Sequence, residues 1–131
     1  MLVGAHVAPD QPLKEAAAIG ADCVQIFLSD PQSWKKPPER HDAEELRASK
    51  IPLFVHAPYL INVCSPRNNV RFGSRKIHQQ TCDAAAVVEA AVIVHGGHAD
   101  DDVNEGFGRW VRTLEMLTSD VPVFIENTPG G

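Results

Sequence analysis

The chain has 131 residues, of which 44% are hydrophobic and 22% are charged. This composition is typical of a single folded domain and argues against a disordered chain. The net charge of -5 argues weakly against a large nucleic-acid-binding surface. No apolar run is long enough to cross a bilayer, and Met1 to His6 has neither the basic flank nor the long apolar stretch of a signal peptide. We therefore expect no membrane partner.

Five short apolar segments alternate with four helical segments. The apolar segments are rich in Val, Ile, Leu or Phe without clean polar alternation, a pattern that favours strands buried on both faces of a parallel sheet. The strictly alternating order predicts an α/β fold built from right-handed βαβ units. The predicted strands are Leu2–His6, Cys23–Leu28, Leu53–His56, Ala91–His95 and Val121–Glu126. The predicted helices are Leu13–Ile19, Asp42–Ser49, Ser74–Glu89 and Glu105–Leu117.

Several residues indicate how the helices begin and which face is apolar. Pro12 suits a first helical turn, Asp42 is an acidic cap candidate, and Ser74 is a candidate N-cap of the longest helix. Helical spacing in the last helix gathers the apolar side chains on one face. These side chains are Phe107, Trp110, Val111, Leu114 and Leu117.

Two architectures fit this order, an open doubly wound sheet or part of a (β/α)8 barrel. The first would commonly carry a glycine-rich phosphate loop after its first strand. Here His6-Val-Ala-Pro-Asp follows that strand, and neither GxGxxG nor GxxxxGK[ST] is present. No linker or low-complexity segment interrupts the chain, so we expect residues 1–131 to form one unit.

Four of the predicted strands end in a side chain that can bind a metal. His6, His56, His95 and Glu126 all fall at carboxyl ends, which lie on one face of a parallel α/β protein and carry its active site. Imidazole and carboxylate are ligands that zinc and manganese accept, and two His with one Glu leave a fourth position open to water, as in catalytic zinc sites. His98, just beyond a Gly-Gly turn, either supports these ligands or is exposed.

The remaining histidines and the cysteines are poor candidates for ligands. His41 and His78 fall on a predicted loop and helix, and we assign both to the surface. Cys23, Cys64 and Cys82 are widely spaced and form no CxxC pair. We interpret the three as reduced thiols, which predicts a cytoplasmic location.

Loops beyond the strands carry bulky and charged residues with two interpretations each. Tyr59 and Leu60 follow His56 closely and serve either as local packing or as a wedge that enters a base stack. Gln32 is a polar side chain on the loop after the second strand. Clusters of basic residues form either solvated faces or a path for a polyanion. These clusters are Arg67, Arg71, Arg75 and Lys76, and Lys35, Lys36 and Arg40.

Taken together, the motifs resemble the endonuclease IV family of apurinic/apyrimidinic endonucleases. They occur in family order, and the long motif around His56 and the motif around Glu126 are the most specific. The matching segments are Gly4-Ala-His-Val, Gln25-Ile-Phe-Leu, Asp30-Pro-Gln-Ser-Trp, Val55-His-Ala-Pro-Tyr-Leu-Ile-Asn, Val94-His-Gly-Gly-His and Ile125-Glu-Asn-Thr-Pro-Gly-Gly.

The resemblance implies a partial barrel, comprising strands one to five of the N-terminal half, and a zinc-dependent repair enzyme. It implies hydrolysis of the phosphodiester 5′ to an abasic site in double-stranded DNA, leaving a 3′-hydroxyl and a 5′-deoxyribose phosphate. His56 and His95 would ligate one zinc, and Glu126, as the catalytic residue, would bridge it to a second. Gln32, Tyr59 and Leu60 would contact bent DNA, while His6 and His98 would at most support the ligands.

The family binds three zinc ions, and the chain stops before the strands that carry the remaining ligands. We therefore expect at most about one zinc, no abasic-site cleavage by the chain alone, and self-association, whereas a complete enzyme would be a monomer. The segment Asp83-Ala-Ala-Ala-Val-Val-Glu faintly repeats Glu15-Ala-Ala-Ala-Ile-Gly-Ala, and Val88 stands where the first copy has Gly20. The third helix must therefore end early or the fourth strand must shift, and a shift would remove His95 from the site. The rival hypotheses are a sugar-isomerase-like metal-dependent barrel and a non-catalytic metal-binding fragment.

Overall fold

The computed structural model describes residues 1–128. Within them the strands form a five-stranded sheet in the order β1-β2-β3-β4-β5, with every neighbouring pair parallel. This sequential order confirms the α/β, partial-barrel prediction, because a doubly wound sheet would reverse its order partway. The elements are β1 (Gly4–His6), α1 (Pro12–Ile19), β2 (Cys23–Ile26), α2 (Ala43–Ala48), β3 (Leu53–His56), α3 (Asn68–Val87), β4 (Ala91–His95), α4 (Val103–Met116) and β5 (Val123–Glu126).

One face of the sheet is covered and the other is open in the described part of the chain. Burial alternates along β2 and β4, where Val24 and Val92 are buried and their neighbours are partly exposed. At the sheet edge, Phe124 and Ile125 of β5 are about half exposed. The prediction that each strand is buried on both faces is therefore wrong for these residues. The covered side forms a core that includes Ala16, Leu46, Val55, Ile77, Cys82 and Val94.

Helix α3 begins earlier than predicted, at Asn68, and Ser74 is not its N-cap. Ser74 is fully buried inside the helix, where its hydroxyl accepts a hydrogen bond of 2.8 Å from the backbone N–H of Asn62. The N-cap position belongs to Arg67, which makes no capping bond through its side chain. The serine instead fastens α3 to the loop that follows β3.

The starts of the other helices follow local hydrogen bonding. Pro12 occupies the first turn of α1 as predicted. Asp42 is the N-cap residue of α2, but its carboxylate pairs with Arg40 at 2.8 Å rather than with the helix. Asp102 is the N-cap of α4, and its carboxylate accepts from the N–H groups of Asn104 and Glu105, so this helix starts at Val103, before the predicted start.

The turn from α3 into β4 has the geometry of a glycine-ended helix but contains no glycine. Glu89 has a φ of 55°, and the N–H of Ala90 donates to the carbonyl of Ala85 at 3.0 Å. The turn after α1 has the same bonding pattern around Gly20, whose φ is 66°. Glu89 is therefore the structural equivalent of Gly20, and the assignment of Val88 to that position is wrong.

Because Glu89 accepts the left-handed conformation, β4 keeps its register. His95 lies directly opposite Glu126 in the pairing of β4 with β5. The alternative in which a shifted strand carries His95 away from the predicted ligands is therefore wrong.

The contacts between α3 and α4 correct two predictions. His78 has no exposed surface and packs edge-on against the Trp110 ring, with centroids 6.0 Å apart, so its assignment to the surface is wrong. His41 is exposed as predicted. Of the predicted apolar face of α4, only Trp110 is buried, whereas Phe107 and Val111 are more than half exposed. No helix in residues 1–128 is long and apolar enough to span a membrane.

Candidate metal centre

Three side chains from neighbouring strands converge at the carboxyl edge of the sheet. His56, His95 and Glu126 are the last residues of β3, β4 and β5. The Oε2 atom of Glu126 lies 3.2 Å from Nε2 of His56 and 3.2 Å from Nε2 of His95. One ligand atom from each of the three residues lies within 4.8 Å of the others. The fold thus brings together three of the four strand-end residues that the sequence pattern indicated, and their role as ligands stays a prediction.

The hydrogen bond of His56 orients its free nitrogen toward this locus. Nδ1 of His56 lies 2.7 Å from the carbonyl oxygen of Ala57. Because a carbonyl only accepts, Nδ1 carries the proton, and Nε2 of the neutral ring is an acceptor. That acceptor faces the carboxylate of Glu126, which is also an acceptor. The contact is favourable only when a proton or a cation lies between the two atoms, and a divalent cation bound by both satisfies it.

Burial differs sharply among the three residues. The His56 side chain is only 6% exposed, whereas that of Glu126 is 49% exposed. The imidazole is therefore held rigidly by the protein, and the carboxylate faces solvent. A cation bound here would have protein ligands on one side and room for water or substrate on the other, which is the arrangement of catalytic rather than structural sites.

Neither of the two expected supporting histidines joins this group. His6 lies at the end of β1, with its ring centroid 6.5 Å from that of His56, and its Nδ1 bonds to the side chain of Gln25 at 2.9 Å. Partial burial, with the charge of His56 nearby, lowers the pKa of His6. His98 is exposed and contacts Asn62 through its backbone only. A supporting role for either histidine stays a prediction.

The loop residues predicted to contact DNA lie next to the metal-capable group. Tyr59 is 52% exposed, and its ring stacks on His95 with centroids 5.6 Å apart. Leu60 beside it is partly exposed. The N–H of Tyr59 donates to the carbonyl of Pro31 at 2.8 Å, which ties this loop to the one that carries exposed Gln32. The three side chains therefore share one surface, and their contact with DNA stays a prediction.

Two residues near the site were missed from sequence. Phe27 packs against His56 and Tyr59, with ring centroids 5.3 and 5.2 Å apart respectively. Asn62 bonds both backbone groups of His98 at 3.1 Å, and a Cβ at Gly97, whose φ is 79°, would collide with the Oδ1 atom of Asn62. Asn62 thus positions the loop after His95. Both residues lie inside the motifs quoted above, which is the signal that could have found them.

Comparisons with known proteins show the family and the fold of the chain. The family described as xylose isomerase-like TIM barrel matches residues 13–131. Probable endonuclease 4 of Mycobacterium marinum is 60% identical, and its counterpart in Mycobacterium tuberculosis is 58% identical. The alignment covers all of this chain and 53% of each relative, so the chain spans about half the length of the curated relatives it matches.

Solved structures show the same fold. The crystal structure of endonuclease IV from Thermus thermophilus superposes with a TM-score of 0.80 at 24% identity, covering 100% of this chain and 53% of that one. Another protein from the same organism, soaked with ZnCl2, gives a TM-score of 0.67 at 22% identity, covering 98% of this chain and 57% of that one. Because both covered shares are near one half, the five strands correspond to part of a barrel.

Proposed function

Because the chain belongs to the xylose isomerase-like TIM barrel family, we propose that it supplies part of the metal site and of the DNA-binding face of a zinc-dependent endonuclease of base excision repair. The reaction is hydrolysis of the phosphodiester 5′ to an abasic site. The observation that carries the proposal is the convergence of His56, His95 and Glu126 beside the exposed Tyr59 ring. Residues 1–131 form one unit of that barrel.

The donor set fits zinc. Two imidazole nitrogens and one carboxylate oxygen are ligands that zinc takes in catalytic sites, and the Nδ1-protonated ring of His56 leaves Nε2 free to bind. When bound, zinc lowers the pKa of a coordinated water and stabilises the negative charge that develops on phosphate oxygens. Glu126 serves as the catalytic residue, because its half-exposed carboxylate is the most solvent-accessible of the three side chains.

Exposed loop residues fit the DNA half of the proposal. Tyr59 and Leu60 stand at the rim of the metal locus, where an apolar wedge can enter a base step and open the strand to the metal. Gln32 supplies an amide on the adjoining loop. The double-stranded DNA partner and the cytoplasmic location, consistent with the free thiols of the chain, are parts of this proposal. We further propose at most about one zinc per chain and self-association, whereas the complete enzyme would be a monomer.

The test joins this chain to the part of the Mycobacterium marinum relative that follows the matched segment. We expect the chimera to incise an abasic duplex on its 5′ side in a zinc-dependent manner, and the chain alone to bind at most about one zinc without incision. Glu126→Gln, which keeps the side-chain size, should abolish incision. His41→Gln, at an exposed histidine that is not one of the three converging side chains, is the matched control.

Three outcomes decide between the hypotheses. Zinc-dependent incision lost in E126Q and kept in H41Q supports the proposal. A chimera that isomerises a ketose and ignores abasic DNA supports the sugar-isomerase alternative, which shares the fold. A chimera that binds zinc through His56 and His95 but turns over neither substrate supports the non-catalytic metal-binding alternative.

A further inference from the structure

Helices α3 and α4 enclose a cleft whose walls are mostly arginine. The cleft has a volume of about 370 Å³. Its carboxylate lining is limited to Glu105, and its aromatic lining to Phe72, which is 54% exposed. The other lining residues are Arg71, Arg75, Gly108, Arg109 and Arg112.

Most of this positive charge is uncompensated. The carboxylate of Asp101 pairs with Arg109, but no ion pair in residues 1–128 includes Arg71, Arg75 or Arg112. Arg71 and Arg75 are four residues apart on one helix, a spacing at which like charges repel. Burial, together with the charges of Arg71 and Arg112, lowers the pKa of Arg75. A concentration of unpaired guanidinium groups is a cost to the folded chain that a bound anion would remove.

Arg71 and Arg75 are held in place by contacts with the protein, whereas Arg112 is exposed. Arg71 donates to the carbonyls of Ser65 and Pro66 at 2.9 and 3.1 Å, and its guanidinium carbon lies 5.0 Å from the centre of the Phe72 ring. Arg75 lies 5.7 Å from the same ring and donates from Nε to the hydroxyl of Thr113 at 3.0 Å. Groups fixed before binding lose less conformational entropy when an anion arrives.

The cleft begins at the edge of the molecule that carries the metal-capable residues and runs along the first three turns of α3 and α4. In parallel α/β units the helices run back along the strands, so the first turns of α3 and α4 lie at the carboxyl edge of the sheet. Arg109 donates to the carbonyl of Cys64 at 2.7 Å, in the loop after β3, and its partner Asp101 lies in the loop after β4. These two loops follow His56 and His95. Arg109 therefore links the cleft to the two loops that follow the candidate ligands.

We propose that the α3–α4 cleft binds backbone phosphates of a nucleic-acid strand, with Arg75 and Arg112 as the phosphate-binding side chains, and so anchors a part of the duplex away from the reacting bond. This inference rests on the proposed function only in the choice of nucleic acid as the polyanion. Guanidinium groups bind phosphate oxygens through charge-assisted hydrogen bonds, and such contacts position a duplex without reading its sequence.

The experiment measures binding of the 131-residue chain to a short undamaged duplex in EDTA, by fluorescence anisotropy at several salt concentrations. Each phosphate contact contributes about 0.9 to the slope of log K against log salt. The double variant Arg75→Gln/Arg112→Gln should therefore bind on the order of tenfold more weakly, with a slope smaller by about 1–2. Arg112→Gln alone, at an exposed residue that can change without disturbing the fold, should have half the effect on the slope.

The control Arg47→Gln/Lys50→Gln removes the same charge from the end of α2, on the opposite edge of the sheet, where both residues are exposed. Unchanged binding by this control with weakened binding by the cleft variants supports the proposal. Equal loss in both, no loss in either, or no binding by the unmodified chain overturns it. Full displacement of the duplex by inorganic phosphate at equal phosphate concentration also overturns it, because the cleft would then be a small-anion site.

The use of EDTA and undamaged DNA separates this test from that of the proposed function. A chimera that fails to incise abasic DNA leaves the cleft result unaffected. Loss of duplex binding in the cleft variants likewise says nothing about zinc at His56 and His95.

Discussion

The buried imidazole of His78 should make the stability of the chain depend on pH. Both ring nitrogens are buried without a hydrogen-bond partner in the described residues, and burial lowers the pKa of His78 from 6.5 to about 4. The unfolded chain therefore takes up a proton as the pH falls through 6.5, whereas the folded chain does so only near 4. The folded state loses stability across that interval, and the contribution is fully present above the unfolded pKa.

The size of the effect follows from the gap between the two pKa values. At about 1.4 kcal/mol per unit, the gap from 6.5 to about 4 corresponds to a loss of about 3 kcal/mol by pH 4. This is a large part of the roughly 5–15 kcal/mol by which domains are stable. His78→Leu keeps an apolar side chain of similar volume against Trp110 and has no proton to bind, so this contribution to the pH dependence should vanish.

The assay is urea unfolding followed by circular dichroism between about pH 7.5 and about pH 5, in EDTA and at low protein concentration. We expect the unfolding free energy of the unmodified chain to fall more steeply with decreasing pH than that of His78→Leu. His41→Leu, at an exposed histidine, should keep the slope of the unmodified chain. Parallel slopes for the unmodified chain and the H78L variant would refute the reasoning, because His78 would then be protonated equally in both states.

Three further predictions concern the helix end, the open face and the DNA loop. Glu89→Gly should raise the unfolding free energy by about 1 kcal/mol, since glycine adopts positive φ without strain. Thermal unfolding measures this change, and an unchanged stability would show that the turn does not strain Glu89. Phe107→Ser/Phe124→Ser should reduce concentration-dependent association in sedimentation; unchanged association would exclude these exposed rings as its cause. Tyr59→Ala/Leu60→Ala in the chimera should lower abasic-site incision at normal zinc content, and unchanged incision would limit the loop to packing.

The sequence predicted the elements best where polarity changes abruptly. The bounds of β3 and β4 match the prediction because each apolar run stops at a histidine, His56 or His95, that also ends the strand. Helix α3 was placed too late because Arg67 makes no side-chain cap bond, so no capping residue marks its start. Ser74, which has the chemistry of a cap, uses its hydroxyl for the backbone of Asn62 instead.

The burial of His78 was predictable from helical spacing. Ser74, Thr81 and Cys82, three or four residues away on the same helix, are all buried. The position therefore belongs to the covered face of α3 despite its polar ring. In contrast, the exposure of Phe124 and Phe107 was not predictable from local pattern, because it depends on which other strands and helices surround β5 and α4.

The metal-capable group forms within five strands because pairing between neighbouring strands is enough to place its three side chains together. His56, His95 and Glu126 end three consecutive strands, and the parallel register of β4 with β5 sets His95 opposite Glu126. No contact across a closed barrel is needed to bring their ligand atoms within 4.8 Å. Holding one cation and cleaving a phosphodiester are therefore separable properties. Under the proposed function, the first needs only neighbouring strands, whereas stabilising a nucleophile and a leaving oxygen together takes a second metal with ligands of its own.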